Sequence, residues 1–298
     1  MTPTPDILCI GAVLWDIIGR APHAMRLGAD VPGRITRLPG GVAFNIAHTL
    51  ARLGLTPAIL SSIGRDDAGH DLIAACTRLG LITDHAYRSD DLPTDIYMAI
   101  EGANGLIAAI ADAHSLEAAG DKILRPLSDG RLGSDAAPWS GLIALDGNLT
   151  QALLSDIAAA PLFRRADLRV APASPGKAER LTPLLTHPNA TFYVNLLEAR
   201  ILSHSDASTA PDAAAALLAL GAHRVLVTDG GNPCACGMQG GGVLIASPPQ
   251  VMVSRVTGAG DTFMAAHIAA ERRGADRTTA LHTALTTAAT YVSGEIGS

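Results

Sequence analysis

The sharpest chemical signal in the sequence is Thr257-Gly258-Ala259-Gly260-Asp261. Small residues ahead of a helical stretch let successive backbone N–H groups point at one spot, where the helix N-terminus adds partial positive charge. Such a turn holds an anion without Lys or Arg. Asp261, in the first turn of that helix, is placed to act as a general base that takes the proton of an attacking hydroxyl. The same residues also suit a plainer role, with Asp261 capping the helix and the glycines making a turn. A second signal is Gly40-Gly41 with Asn45 one helical turn further on. The double glycine allows close approach of backbone to ligand, and Asn45 offers a donor and an acceptor to a polyol, or simply faces solvent. Asp16 follows the first strand, at the carboxyl edge where α/β sheets bind ligands. Ionised, it accepts from two vicinal hydroxyls; otherwise it caps a loop. Asn195-x-x-Glu198, at another strand end, suits a water-mediated magnesium site near phosphates. Thr228, with Gly230 and Gly231, can meet a nucleotide phosphate through hydroxyl and backbone.

The hydrophobic pattern supplies the elements that must deliver these groups. Short apolar runs at residues 7–13, 57–63, 142–145, 168–171, 192–195 and 224–228 read as strands, and 251–253 as a further one leading into the Gly258 turn. Helical periodicity covers 44–53, 67–79, 150–159 and 212–220, with Gly54 and Gly80 placed as C′ glycines. Repeated strand–helix alternation predicts an α/β fold with a mostly parallel sheet and helices on both faces. Two segments break the alternation. Residues 16–39 carry strands near Ile17 and Ile35 around a Pro/Gly loop. Residues 95–112 read as two strands about Glu101-Gly102-Ala103-Asn104-Gly105, a β-hairpin pattern. Both read as parts of a small β-sheet lid inserted into one α/β domain spanning 1–298, without internal repeats.

Composition narrows the function. The 298 residues are 48% hydrophobic, 17% charged and 3% aromatic, with a formal charge of −6. The 22 Lys and Arg face 28 Asp and Glu with no long basic run, which argues against binding of a nucleic-acid polymer. No apolar run reaches membrane-spanning length, and the N-terminus lacks the pattern of a secretory signal. Cys234 and Cys236 are too close for an easy disulfide and no second pair completes a zinc site. With Cys9 and Cys76 they read as free thiols of a cytoplasmic protein, the close pair in a loop. The phosphate-binding, hydrolase and zincin signatures GxxxxGK[ST], GxSxG and HExxH are absent, and the ten histidines form no metal-spaced cluster.

Taken together and in this order, the motifs resemble the PfkB, or ribokinase-like, family of sugar and nucleoside kinases. Gly40-Gly41-x-Ala43-x-Asn45-x-Ala47 with Gly54 and Gly64 resembles its N-terminal signature. Thr257-Gly258-Ala259-Gly260-Asp261 resembles its more specific C-terminal one, and Asn195-x-x-Glu198 its Asn-x-x-Glu motif. The resemblance implies a three-layer α/β/α fold with a small lid, and ATP-dependent phosphorylation of a primary hydroxyl. It assigns Asp261 as base and Gly258, Ala259 and Gly260 as the anion hole. Asp16, Gly40, Gly41 and Asn45 would grip the sugar. Asn195 and Glu198 would organise phosphates and Mg2+, with Glu198 acting through water; Thr228, Gly230 and Thr257 would line the nucleotide site, and adenine would lie near residues 284–291. Lids of the family can pair, and the apolar strands here permit a homodimer. One position departs. Three residues before Gly258 the family usually has an acidic or polar residue that in several members helps to hold a monovalent cation; here it is Arg255, which disfavours such a cation.

Within the family, residues 40–54, Leu92-Pro93-Thr94 and the hairpin end at residues 107–112 resemble pseudouridine kinases. Pseudouridine carries an additional ring N–H, whose recognition needs an acceptor from a lid carboxylate or carbonyl. Asp112 is the candidate, with Asn45 assisting, unless it only ends the hairpin. Ribokinase, fructokinase or another nucleoside kinase is the same-class alternative, and a ligand-binding homologue without catalysis is the alternative from another class.

Overall fold

A computed structural model describes residues 3–26 and 28–295. In chain order it contains β1 (Ile7–Ile10), β2 (Leu14–Arg20), β3 (Arg34–Gly40), α1 (Val42–Arg52), β4 (Pro57–Leu60), β5 (Ser62–Gly64), α2 (Asp67–Arg78), β6 (Tyr87–Ser89), β7 (Ile96–Gly102), β8 (Gly105–Asp112) and α3 (His114–Ala119). There follow β9 (Leu142–Asp146), α4 (Gln151–Ala159), β10 (Asp167–Ala171), β11 (Ala190–Asn195), α5 (Leu196–Ser203), α6 (Ala210–Ala219), β12 (Arg224–Asp229), β13 (Asn232–Met238), β14 (Gly242–Ala246), α7 (Ala259–Arg272) and α8 (Arg277–Ser293).

Among the described residues, the main sheet has eight strands in the order β14-β13-β12-β11-β10-β9-β1-β4. It is parallel from β4 to β12, and β13 and β14 close one edge antiparallel. The two-residue period of the strands sorts their side chains into two cores. Ile7 and Cys9 of β1, with Leu142 and Ala144 of β9, join α1, α2, α7 and α8; Leu8, Ile10, Ile143 and Leu145 join α3 to α6 on the other face. The result is the predicted α/β/α sandwich. A second, four-stranded sheet runs β3-β2-β7-β8 and collects the two segments that broke the alternation. No helix among the described residues is long and apolar enough to cross a membrane.

Local corrections concern the far edge. Residues 251–253 form no strand; they are exposed, Met252 90% so, and the sheet already ends at β14. The run at 57–63 divides into β4 and β5, which pair with different partners. Cys234 and Cys236 are not loop residues. They lie two apart on β13, so both face one core, buried and unpaired in any disulfide.

Candidate active site

The parallel strands end at one edge of the sheet. The chain leaves β1 for β4 on one side and reaches β9 on the other, so a crevice forms outside the carboxyl ends of β1 and β9. Asp146, the last residue of β9, fills its floor. One carboxylate oxygen accepts from the backbone N–H of Ala12 (2.9 Å) and of Ala43 (3.1 Å), and the other from that of Asn148 (2.8 Å). One buried side chain thus ties the end of β1, the start of α1 and the end of β9 together. Sequence reasoning missed it, although a carboxylate closing an apolar strand was a readable signal.

Helix starts distinguish the site from the rest of the molecule. α2, α4, α5, α6 and α8 begin with side-chain caps from Asp66, Thr150, Asn195, Thr209 and Asp276. α1 and α7 begin instead at glycines with positive φ, Gly41 (94°) and Gly258 (84°), and have no side-chain cap. A side chain at Gly41 would strike the Ala12 carbonyl; one at Gly258 would strike the Tyr291 hydroxyl, which itself donates to the Thr257 carbonyl (2.8 Å). Asp146 caps α1 from a distance. At α7 the Ala259 N–H donates to the Val256 carbonyl (3.1 Å), so Ala259 does not contribute to an anion hole as expected. The N–H groups of Gly260 and Asp261 remain, without an acceptor among the described residues.

Asp261 stands in that first turn. Asn45 Nδ2 donates to its carboxylate at 2.8 Å, joining α1 to α7 across 216 residues of sequence. Burial pushes the Asp261 carboxyl up to about 7, the Asn45 hydrogen bond opposes the shift, and the charges of Asp146 and Glu198 add to it. Asp16, on β2, points its carboxylate over Gly40, where a Cβ would collide with it, and burial raises it to about 6. The structure thus sets Asp16 against Gly40 and bonds Asn45 to Asp261, with Gly41 at the start of α1 between Gly40 and Asn45 in sequence.

Asn195 and Glu198 are also brought to this edge, and the register pairs Asn195 with Thr228. Their side chains form a reciprocal capping box at α5: Asn195 Oδ1 accepts from the Glu198 N–H (2.9 Å), and Glu198 Oε2 from the Asn195 N–H (2.8 Å). The N-x-x-E spacing thus has a local structural use. Thr228 donates weakly to the Val194 carbonyl (3.5 Å), and Gly230 makes the tight turn into β13 with φ 54°. No three His, Cys, Asp or Glu side chains cluster as direct metal ligands among the described residues. Glu198, with one carboxylate oxygen committed to the cap, fits a hydrated Mg2+, which keeps most of its waters.

Asp112 falls elsewhere. It pairs with Ile96, whereas Asp16 pairs with Tyr97, so strand alternation puts Asp112 on the opposite face of the small sheet from Asp16. There it contacts His114 Nδ1 at 2.9 Å, largely exposed. Arg255 lies beside the end of α8. Its Nε donates to the Tyr291 carbonyl (2.9 Å), and its guanidinium stacks 3.9 Å over the Tyr291 ring. A cavity of about 490 Å³ adjoins the site on the α1–α8 side and touches it at Asn45, Gly258 and Thr262; Asp16, Asp261 and Glu198 lie outside its lining, so it is a neighbour of the catalytic crevice.

A three-layer α/β sandwich with a small side sheet, a glycine-started helix holding free amides and a buried carboxylate defines a ribokinase-like kinase. The chain belongs to the pfkB family of carbohydrate kinases, which it matches over residues 4–295. It is 27% identical to a pseudouridine kinase of Escherichia coli, over 87% of this chain and 81% of that protein. It is also 27% identical to a mouse (Mus musculus) ribokinase, over 87% of this chain and 80% of that protein. The structure of an Arabidopsis thaliana ribokinase complexed with ribose and ATP superposes with a TM-score of 0.78 at 21% identity, covering 99% of this chain and 94% of that one.

Proposed function

We propose that the protein transfers the terminal phosphoryl group of ATP to the 5′-hydroxyl of a nucleoside, with pseudouridine as substrate and pseudouridine 5′-phosphate as product. The observation that carries this reading is the 2.8 Å bond between Asn45 and Asp261 beside the unsatisfied amides of α7. It supports a reading in which Asn45 binds the polyol, Asp261 is the base and the neighbouring amides form the anion hole. Asp16 and the Gly40–Gly41 backbone hold the sugar hydroxyls, and Asn45 sets the 5′-hydroxyl against Asp261. Asp261 takes the hydroxyl proton as the oxygen bonds to the terminal phosphorus. The bond from that phosphorus to the bridging oxygen breaks, and ADP leaves. The amides of Gly260 and Asp261 stabilise the transferring group, so catalysis is mostly positioning and charge stabilisation. Thr228, Gly230 and Thr257 line the nucleotide, Asn195 and Glu198 lie toward its phosphates, and residues 284–291 toward adenine. Mg2+, held through water by Glu198, neutralises phosphate charge when bound.

The small sheet serves as the lid. What supports a nucleoside over a free sugar is the resemblance of residues 40–54, 92–94 and 107–112 to pseudouridine kinases; overall identity to the E. coli pseudouridine kinase and to the mouse ribokinase is the same, 27%. Because Asp112 faces away, the acceptor for the additional ring N–H falls to the unpaired edge carbonyls of β8. The exposed apolar side chains on the far face, Ile35, Met98, Ile100 and Ile110, suit pairing of two lids. Four buried free thiols suit a reducing cytoplasm. Arg255 supplies a tethered cation at the end of α8, so no monovalent ion is required.

A substrate panel tests this. With ATP and Mg2+, pseudouridine should exceed uridine, ribose and fructose by about tenfold or more in kcat/KM, and exchanging potassium for another cation at fixed ionic strength should leave the rate within about twofold. Comparable turnover of ribose contradicts the nucleoside reading, and a large potassium dependence contradicts the role given to Arg255.

A further inference from the structure

β2 lies between β3 and β7, and the register sets Leu38, Asp16 and Tyr97 side by side, with Ala111 beyond them on β8. Residues in one such row leave the same face of a sheet, about 4.8 Å apart from strand to strand. Tyr97 therefore shares the site face with Asp16. It is half-buried and packs against the core that contains Ala12 and Leu14, at the rim of the crevice. Burial, and then the charges of Asp16 and Glu101, raise the pKa of its phenol.

The other tyrosines have structural partners. Tyr193 bonds Arg169 and His267 in the core, Tyr291 bonds the Thr257 carbonyl beneath Arg255, and Tyr87 lies under Lys122. The Tyr97 hydroxyl makes no hydrogen bond among the described residues. On the same face, Ala109 and Ala111 of β8 are small and exposed, which leaves space for a flat ring beside the phenol.

Orientation follows from the ends of a ribofuranoside. β3 runs into Gly40, Gly41 and α1, and Asn45 of α1 bonds Asp261, so the 5′-hydroxyl lies on the β3 side of Asp16. The substituent at C1′ and the C5′ carbon on C4′ share one face of the ring, opposite the diol, but leave it at opposite ends. A diol held by Asp16 then directs its base toward β7 and β8, where Tyr97 stands.

We infer that Tyr97 is a specificity-determining residue whose ring stacks on the base of the substrate and sets the preference for nucleosides over free sugars. The inference rests on the nucleoside reading above. Kinetics with pseudouridine and ribose for the wild type, Tyr97→Phe and Tyr97→Leu, with ATP affinity by calorimetry as the control for folding, test it. Stacking of this kind predicts that Tyr97→Leu raises the KM for pseudouridine roughly 10- to 100-fold with little change in kcat or ATP affinity, and that Tyr97→Phe stays within about threefold of wild type. A wild type that prefers pseudouridine and a Tyr97→Leu variant that keeps the same KM overturn the inference alone. A wild type that takes ribose as readily as pseudouridine overturns both the inference and the nucleoside reading. Loss of ATP affinity in Tyr97→Leu equal to the loss in pseudouridine KM makes Tyr97 a structural residue and also overturns it.

Discussion

As the proposed base, Asp261 combines two demands that conflict. A base for neutral pH needs a carboxyl that titrates near 7, and burial supplies that here. The same shift costs stability. A carboxyl whose pKa is raised on folding contributes stability below its unfolded pKa near 4, and that contribution is lost as pH rises through about 7. Activity follows the ionised form, so kcat/KM should rise with pH to a plateau above about 7. Asn45 donates to the charged form and holds the value down. Asn45→Ala should therefore move the acid limb to higher pH by about half a unit to one unit, besides raising KM. A pH–rate profile of the two proteins checks this, and an unmoved or lowered limb contradicts the coupling. At this scale the sequence was informative where a motif is local, as at the helix starts near Gly258 and Gly41; Asp16, expected just after the first strand, lies inside β2. Asp146 escaped because its partners, Ala12 and Ala43, are 134 and 103 residues away. Asp112 was misjudged because its face depends on which residue it pairs with, and composition does not reveal register.

α7 carries two unsatisfied amides, the proposed anion hole, at one end and an ion cluster at the other. Residues 262–270 are buried, packed between the sheet, α1 and α8. Near the C-terminus Glu271 accepts from Arg169 and from Arg224, both at 2.5 Å, and both guanidiniums are largely buried. His267 and Tyr193 complete the cluster through a 2.9 Å bond; burial lowers the histidine to about 3, so it is neutral. The two guanidiniums and the protonated form of His267 outweigh burial and lower Glu271 to about 2. Its contribution to stability is therefore present above about 4.5 and lost as pH falls toward 2. Glu271→Gln leaves the buried Arg224 guanidinium without its counter-ion, while Arg169 keeps its pair with Asp167 (2.7 Å), and should cost about 3 kcal/mol of unfolding free energy at neutral pH. Urea unfolding measures it, and an unchanged midpoint contradicts the anchoring role. Helices were readable from caps and closing glycines. The β13–β14 hairpin was not, because Asn232-Pro233-Cys234-Ala235-Cys236-Gly237 has little of the β-branched, aromatic character that marks a strand. Residues 251–253 have that character, yet no strand edge is offered to them.

In the proposed function an acidic molecule, nearly free of aromatic rings, handles phosphate anions. On that reading the anion is met by amides at a helix start and not by a patch of Lys and Arg, which suits one small phosphate-bearing ligand. The α/β alternation was legible because parallel strands buried on both faces read as short apolar runs between helices. The proposed site lies where the sequence pattern alone put it, at the carboxyl ends of those strands. What the chain could not disclose was the face of each lid residue and hence the contacts that choose a substrate. The account stands or falls on whether Asp261 does chemistry or only shapes a binding site. Replacing it by Asn keeps size and a polar partner for Asn45 while removing the base. Pseudouridine and ATP affinities should remain within about threefold of wild type, while kcat falls by about 10²- to 10⁴-fold. An Asp261→Asn protein that turns over at close to the wild-type rate contradicts the mechanism.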